Sequence, residues 1–369
     1  MKKIMTMLLA TLVSSALFVA CGDDDDNDNG NGIDIENGGN GNGNGGVSSI
    51  ENPLQKKGNL LLSEITVNFP GYDEYTLNLE YDDNLRPIGC YYLGGDWDDH
   101  EYEFKVDYNK GIMEWDDDKL SVSFNDKGYI TKLTSEYSKN EDGETYISKS
   151  EQNFTYDEEG HLLTVVIEWQ DEYRNPSMYE KITEKVSTVY TWENGNLVAD
   201  NATGTCKTER NGKVYNDTTS CVDTFAYGSL PNKFKQYVGV LDEESGTLAS
   251  GLFGVFSEKL PTTYTEYYHQ VSDIGGEHNE YEEYNGTFTL NPDGSINTET
   301  WTNADGTPFS SYVYRYTTID QKAPSLRSNA STFVPKRTSS AGSIKEKMHS
   351  MRRLPFMPKR VRTSSNYQK

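Results

Sequence analysis

Histidine and cysteine are scarce in this chain of 369 residues, five and four in number, and their scarcity removes much of catalytic chemistry. His100, His161, His269, His278 and His349 are scattered, with no His-Glu-x-x-His pair, no Gly-x-Ser-x-Gly elbow and no glycine-rich phosphate loop around them. The cysteines show no metal-type spacing. Neither a metal nor a cofactor is expected, and the chain does not read as an enzyme. Positive charge is also short. There are 34 Lys and Arg against 58 Asp and Glu, a net charge of −24. The deficit is uneven: residues 322–369 hold 12 basic residues and one acid, a net +11, which leaves −35 on residues 1–321. Such a body repels nucleic acid and other polyanions. With so many acids, carboxylate pairs such as Asp96/Asp98 or Glu282/Glu283 arise by chance and are read as solvated strand faces.

What is present begins with an address. After Met1-Lys2-Lys3 comes an apolar run from Ile4 to Ala20. It is marginal for a bilayer span and normal for the core of a signal peptide. Phe18-Val19-Ala20-Cys21 resembles a bacterial lipoprotein box, which implies cleavage before Cys21 and acylation of its thiol. The expected partner is outer-membrane lipid, held through buried methylenes that contribute about 0.8 kcal/mol each. Asp23 to Asp26 resembles the surface-export signal of Bacteroidetes lipoproteins, implying a lipid-anchored protein on the exterior face of the outer membrane. Gly22 to Gly46 contains nine Gly, seven Asn and six Asp and cannot bury a core, so it reads as a disordered tether. Asp25, Asn27, Asn29, Gly30 and Glu36 satisfy an EF-hand pattern. Gly32 occupies the place of that loop's apolar residue, and the match is read as a product of Asp/Asn/Gly composition.

From about residue 58 the texture changes to alternation with period two. Tyr75-Thr-Leu77-Asn-Leu79-Glu-Tyr81, Tyr102-Glu-Phe104-Lys-Val106-Asp-Tyr108 and Leu120-Ser-Val122-Ser-Phe124 each place apolar side chains on one face. Asn194-Gly195, Asn211-Gly212, Asp293-Gly294 and similar pairs supply the positive φ of tight hairpins. A weak repeat runs through Phe124–Ile130, Tyr156–Leu162 and Leu290–Ile296: apolar residue, polar turn with Gly, aliphatic residue. Tyr81–Leu85 is a copy without the glycine. The expected fold is all-β, an antiparallel meander of roughly 14–16 strands closed or rolled into a barrel. Four segments follow: a signal peptide over 1–20, a tether over 21–57, a barrel over 58–320 and a basic, disordered tail over 321–369. A membrane-spanning barrel would show similar alternation. The seven-residue runs oppose it, because a crossing strand needs about nine to eleven residues. Phe234–Leu260 breaks the alternation and carries Gly251 and Gly254. It reads as a loop that plugs a barrel end, or as a short helix and a buried strand.

The acidic lipobox region, the Tyr/Phe-x-x-x-Gly-x-Leu/Ile hairpins and the stretch Gly251–Tyr268 together resemble an uncharacterised family of Bacteroidetes surface lipoproteins, a domain of unknown function described as porin-like and barrel-type. The resemblance implies a fold and an address, and no site residues. Cys206 and Cys221 flank a hairpin: centred on Gly212–Tyr215 they would face each other and could form a disulfide, whereas a two-residue Asn211-Gly212 turn puts them out of register. Trp97, Tyr91 and Tyr92, beside Gly94-Gly95, are weak candidates for stacking on a sugar ring. Three functional readings stand. The barrel binds a glycan or an apolar small molecule, it is a structural or host-facing surface protein without a small ligand, or it hydrolyses glycans. The oligomeric state is open.

Overall fold

The computed structural model describes residues 60–94, 102–115, 118–141, 143–238 and 248–318. The signal segment, Cys21, the tether 21–57, Trp97 and the basic tail 321–369 lie outside the described residues.

Sixteen strands follow one another: β1 (Leu60–Asn68), β2 (Tyr75–Tyr81), β3 (Pro87–Gly94), β4 (Tyr102–Asp107), β5 (Ile112–Trp115), β6 (Asp118–Phe124), β7 (Ile130–Glu141), β8 (Glu144–Tyr156), β9 (Leu162–Asn175), β10 (Met178–Glu193), β11 (Asn196–Arg210), β12 (Lys213–Pro231), β13 (Lys259–Ser272), β14 (Gly276–Leu290), β15 (Ile296–Asn303) and β16 (Pro308–Thr318). Each pairs antiparallel with its neighbour, and β1 pairs with β16, so the sheet closes on itself. Closure leaves no unpaired edge. Leu60 faces Thr318, so both ends of the barrel's chain lie at one rim.

The inner face of β1–β6 is apolar. Ile65, Val67, Leu77, Cys90, Phe104, Met113 and Leu133 on β7 are almost fully buried in one cluster. The outer face carries charge: Lys132 pairs with Glu151, Lys149 with Glu136, Lys185 with Glu168, and Arg315 with Glu64, all at 2.6–2.9 Å. Such outward ion pairs oppose a membrane-spanning wall, whose lipid face cannot hold charges cheaply. Strand length does not carry this conclusion. β7–β14 run 12 to 19 residues, much longer than the runs read from sequence and long enough to cross, so only the outward charges oppose a crossing wall.

The repeated hairpins share one turn. Asp82, Asn125, Asp157, Asn291 and Asn303 each donate a backbone N–H to the carbonyl four residues on, and each carbonyl accepts an N–H from three residues on. The third-residue donor takes the left-handed conformation, as glycine in four copies and as Leu85 (φ 62°) in the fifth. A second device recurs at the rim shared by the termini. An aromatic residue near the end of an even-numbered strand, or just beyond it, donates to a carbonyl near the start of the strand before: Tyr81 to Leu62, Tyr108 to Pro87, Tyr156 to Ile130, Trp192 to Leu162 and Tyr227 to Leu197, at 2.6–2.9 Å. Each clamp ties the base of a hairpin. Tyr156→Phe should therefore cost about 1 kcal/mol in urea denaturation, with the fold retained; no change would show that the Ile130 carbonyl finds water instead.

Between β12 and β13 the chain turns inward at the same rim, as a plug. Phe253 packs its ring 5.3 Å from Phe154 and 6.2 Å from Trp115. The Leu252 carbonyl accepts the Ile130 N–H at 2.8 Å, and Val255 donates to the Gly160 carbonyl at 2.9 Å. Gly254 has φ 102°, and a Cβ there would sit 2.5 Å from the Gly160 oxygen, so only glycine fits. Asn232 donates to the Glu258 carbonyl at 2.7 Å and closes the plug's base. Of the two readings of Phe234–Leu260, a plug or a short helix with a buried strand, the described residues 234–238 and 248–260 follow the plug.

Candidate functional site

The sequence-predicted ligand residues do not assemble. Tyr91 and Tyr92 are consecutive on β3 and so point to opposite faces. Tyr92 is buried against Tyr75 at 5.8 Å, while Tyr91 packs on Tyr102 at 5.5 Å. The two cannot form one platform. Neither Cys206 nor Cys221 is in a disulfide. The hairpin takes the two-residue turn, with Asn211 and Gly212 at φ 48° and 79°. That places Cys206 opposite Asp217 and Cys221 opposite Ala202, four residues apart along the ladder, and excludes the disulfide. The acids read as solvated strand faces need the larger correction, because a row of them faces inward.

That row crosses five strands. Tyr190 on β10 lies opposite Asp200 on β11, Asp200 opposite Asp223 on β12, Asp223 opposite Glu266 on β13, and Glu266 opposite Glu282 on β14. The inward direction follows from alternation. Asp200 shares its face with buried Ala202 and Gly204, Asp223 with buried Cys221, and Glu266 with buried Tyr268; the residues between, such as Asn201, Thr203 and Tyr267, are exposed. Directly opposed side chains have Cβ atoms roughly 5 Å apart, and like charges there repel.

Tyrosines frame the row on its plug side. Tyr264 donates to Glu266 Oε2 at 3.0 Å, and Tyr284 donates to Glu282. The two rings stack at 5.8 Å. Burial pushes Asp200 well above the usual carboxylate range, and Asp223 and Glu266 push it further. Burial likewise raises Tyr190, Tyr264 and Cys221, each followed by carboxylates of the same trio, Asp200, Asp223 and Glu266. Four groups on four strands thus report one buried region of negative potential.

Polar atoms without partners lie on the same inner wall. Thr188 is 2% exposed on β10, between Val186 and Tyr190 on the inward face, and its Oγ1 has no hydrogen-bond partner among the described residues. Gln152 on β8 is fully buried, and neither amide atom has a partner there. It lies opposite Ile167 on β9, which lies opposite Val186. A buried polar group left unpaired costs about 1–3 kcal/mol, so each of these atoms calls for a partner, an ordered water or a ligand atom.

Inward titratable groups gather elsewhere too: on the same wall Glu184 lies opposite Cys206 and Cys206 opposite Asp217. Asp157, Glu159 and His161 place ligand atoms within 4.8 Å of one another at the β8–β9 turn. There Asp157 Oδ1 accepts the N–H groups of Gly160 and His161 at 2.8 Å, and Oδ2 faces His161 Nδ1 at 2.8 Å. Those bonds fold the turn, and His161 stacks on Trp192 at 4.3 Å. Glu299, fully buried on β15, accepts from Trp301 and Tyr314 at 2.5 Å and serves the core in the same way.

The signal for the row was present as Tyr264-x-Glu266-x-Tyr268, Glu282-x-Tyr284 and Asp223-x-Phe225-x-Tyr227, acid and aromatic two apart on successive strands. It is readable only once the facing is known. No family model matches the chain, and no curated protein does. Solved structures similar to it include a porin-like protein from Bacteroides vulgatus, 15% identical, with a TM-score of 0.37 over 69% of this chain and 98% of that one, and a porin-like protein from Bacteroides uniformis, 14% identical, with a TM-score of 0.37 over 70% of this chain and 96% of that one.

Proposed function

We propose that this chain is a surface-anchored binding protein whose ligand lies against the inner wall of β8–β14. The observation that carries the reading is the inward-facing Asp200–Asp223–Glu266–Glu282 row, half-buried except for the buried Glu266, with Thr188 unpaired among the described residues one rung away and Gln152 unpaired farther along the same wall. A purely structural barrel would fill its inner wall with apolar side chains, as β1–β6 do. A wall that concentrates acids, tyrosines and unpaired polar atoms is organised for a polar ligand, so of the two ligand classes expected, glycan and apolar molecule, it favours the polar one. Catalysis is the poorer reading. The carboxylates stand side by side on one wall, whereas glycoside hydrolysis needs two that flank the scissile bond.

The anchor belongs to the same proposal. A lipid on Cys21 and a tether ending near residue 57 would join the barrel at Leu60, on the plugged rim, and the opposite rim would face away from the membrane.

Cys206 supplies the test. It is half-buried on the inner face, beside Glu184 across the ladder. A ligand held against this wall should slow its reaction with a small thiol reagent about tenfold at ten times Kd. If no member of a panel of glycans, apolar molecules and charged metabolites changes that rate or gives saturable heat in a calorimetric titration, the binding reading fails.

A further inference from the structure

We infer that the ligand of this wall is a neutral polyhydroxylated molecule, about the size of two linked sugar rings, held by Gln152 and Thr188; the inference rests on the binding reading above and names its chemical class. Both side chains are more than nine-tenths buried, at 0% and 2% exposure, and Gln152 Oε1, Gln152 Nε2 and Thr188 Oγ1 have no hydrogen-bond partner among the described residues. All three are neutral groups. On the rung beside Thr188, by contrast, acids are already engaged: Tyr264 donates to Glu266 and Tyr284 to Glu282. The unmet demand is therefore for donors and acceptors without charge, and a ligand hydroxyl supplies both from one atom.

Single waters meet that demand poorly, because a buried water needs roughly two to four polar partners. Gln152 lies opposite Leu133 and Ile167. On its own face its neighbours are Phe154 and Ser150, and the Ser150 hydroxyl is bonded to that of Ser135 at 2.8 Å. Thr188 lies opposite Val165 and Ala202, with Val186 next on its face. Hydroxyls fixed on a carbon ring need no such surroundings. The apolar face of the ring would meet Ile167 and Val186, which lie opposite each other between the two polar groups. Room for it comes from β11, whose inward residues opposite Val186 and Thr188 are Gly204 and Ala202. Gln152 and Thr188 are two strand intervals and two residues apart, about 12 Å at the usual spacings, which suits two linked rings.

The experiment offers cellobiose, maltose, lactose and diacetylchitobiose to the full mature chain carrying Cys21→Ser, read by calorimetry and by thiol labelling of Cys206. Beside them stand glucuronic acid, spermidine and a trialanine capped at both ends. Saturable binding of at least one disaccharide is expected. Gln152→Leu and Thr188→Val, which keep the shape and remove the polar atoms, should each weaken it by roughly tenfold or more. Thr188→Ser, which keeps the hydroxyl, should retain it, as should Glu151→Gln on the outer face. A second readout needs no ligand. If these groups are unpaired in the free barrel, neither Gln152→Leu nor Thr188→Val should lower its melting temperature, because each replaces a buried polar group that has no partner. A fall in both would show that the fold itself pairs them and would overturn the assignment, as would disaccharide binding that both variants leave intact. Binding of the acid, the polyamine or the capped peptide with all four disaccharides inert would overturn the neutral polyol and leave the binding reading standing. No protection and no saturable heat from any compound would end both.

Discussion

Replacing Phe253 with alanine should lower the stability of the barrel by about 3–5 kcal/mol, the largest loss expected from one plug residue. The ring is 1% exposed and is the plug's deepest aromatic, lodged between Phe154 on β8 and Trp115 on β5. Those strands are separated by two others, so the ring joins parts of the wall that share no ladder. Removing it forfeits the buried area and leaves a void that a closed sheet cannot collapse to fill. Neighbouring Leu252 and Leu248 are equally buried, and the Leu252 carbonyl holds the β7 N–H of Ile130, so the backbone around the void is pinned. Urea denaturation followed by tryptophan fluorescence measures the loss. A change below about 1 kcal/mol would mean that the plug yields independently of the wall. Phe253→Leu, which keeps most of the volume, should cost far less.

The parts of this fold legible in the sequence are those where alternation of polarity coincides with alternation of facing. β2, β4 and β6 read directly, because their inward residues are Tyr75, Leu77 and Leu79, then Phe104 and Val106, then Leu120 and Val122. The hairpin turns read through their glycines, and Phe234–Leu260 stood out because it had no alternation at all. The same logic fails on β10–β14. There the inward positions of β12 run Asp217, Thr219, Cys221 and Asp223, as polar as the outward ones, so a strand of 19 residues shows almost no periodic signal. Facing on those strands comes from the register passed around the closed barrel, which no local window contains. Tyr91 and Tyr92 failed for the opposite reason: adjacency in sequence suggested a shared platform, and a strand sends neighbours apart. The cysteine pair turned on one residue of turn length, which the sequence left open.

Stability should fall as pH rises from about 4 toward neutrality, and Asp200→Asn should flatten that fall. Burial raises the Asp200 carboxyl above its ordinary value of 3.8, helped by Asp223 and Glu266. A carboxyl raised in the folded state binds its proton more tightly there than in the unfolded chain. Its contribution is therefore fully present below the unfolded pKa and is lost as pH climbs through the folded one. The groups facing Asp200 are Tyr190 from β10 and Asp223 from β12, and Tyr190 is itself pushed up, so neither supplies a positive charge that would hold Asp200 ionised. Asp107, Asp293 and Asp305 act in the opposite sense: hydrogen bonds from Lys110, Ser295 and Thr307 hold them down, so their contributions disappear only as pH falls below the carboxylate range. The melting temperature should then peak in mild acid. General repulsion within an acidic body also grows with pH, but it is screened by salt, whereas a buried row is screened much less. At high salt the alkaline arm of the wild-type curve should persist and that of Asp200→Asn should be shallower, with Glu168→Gln on the outer face tracking wild type. Parallel curves for wild type and Asp200→Asn would show that the row ionises without cost to the fold.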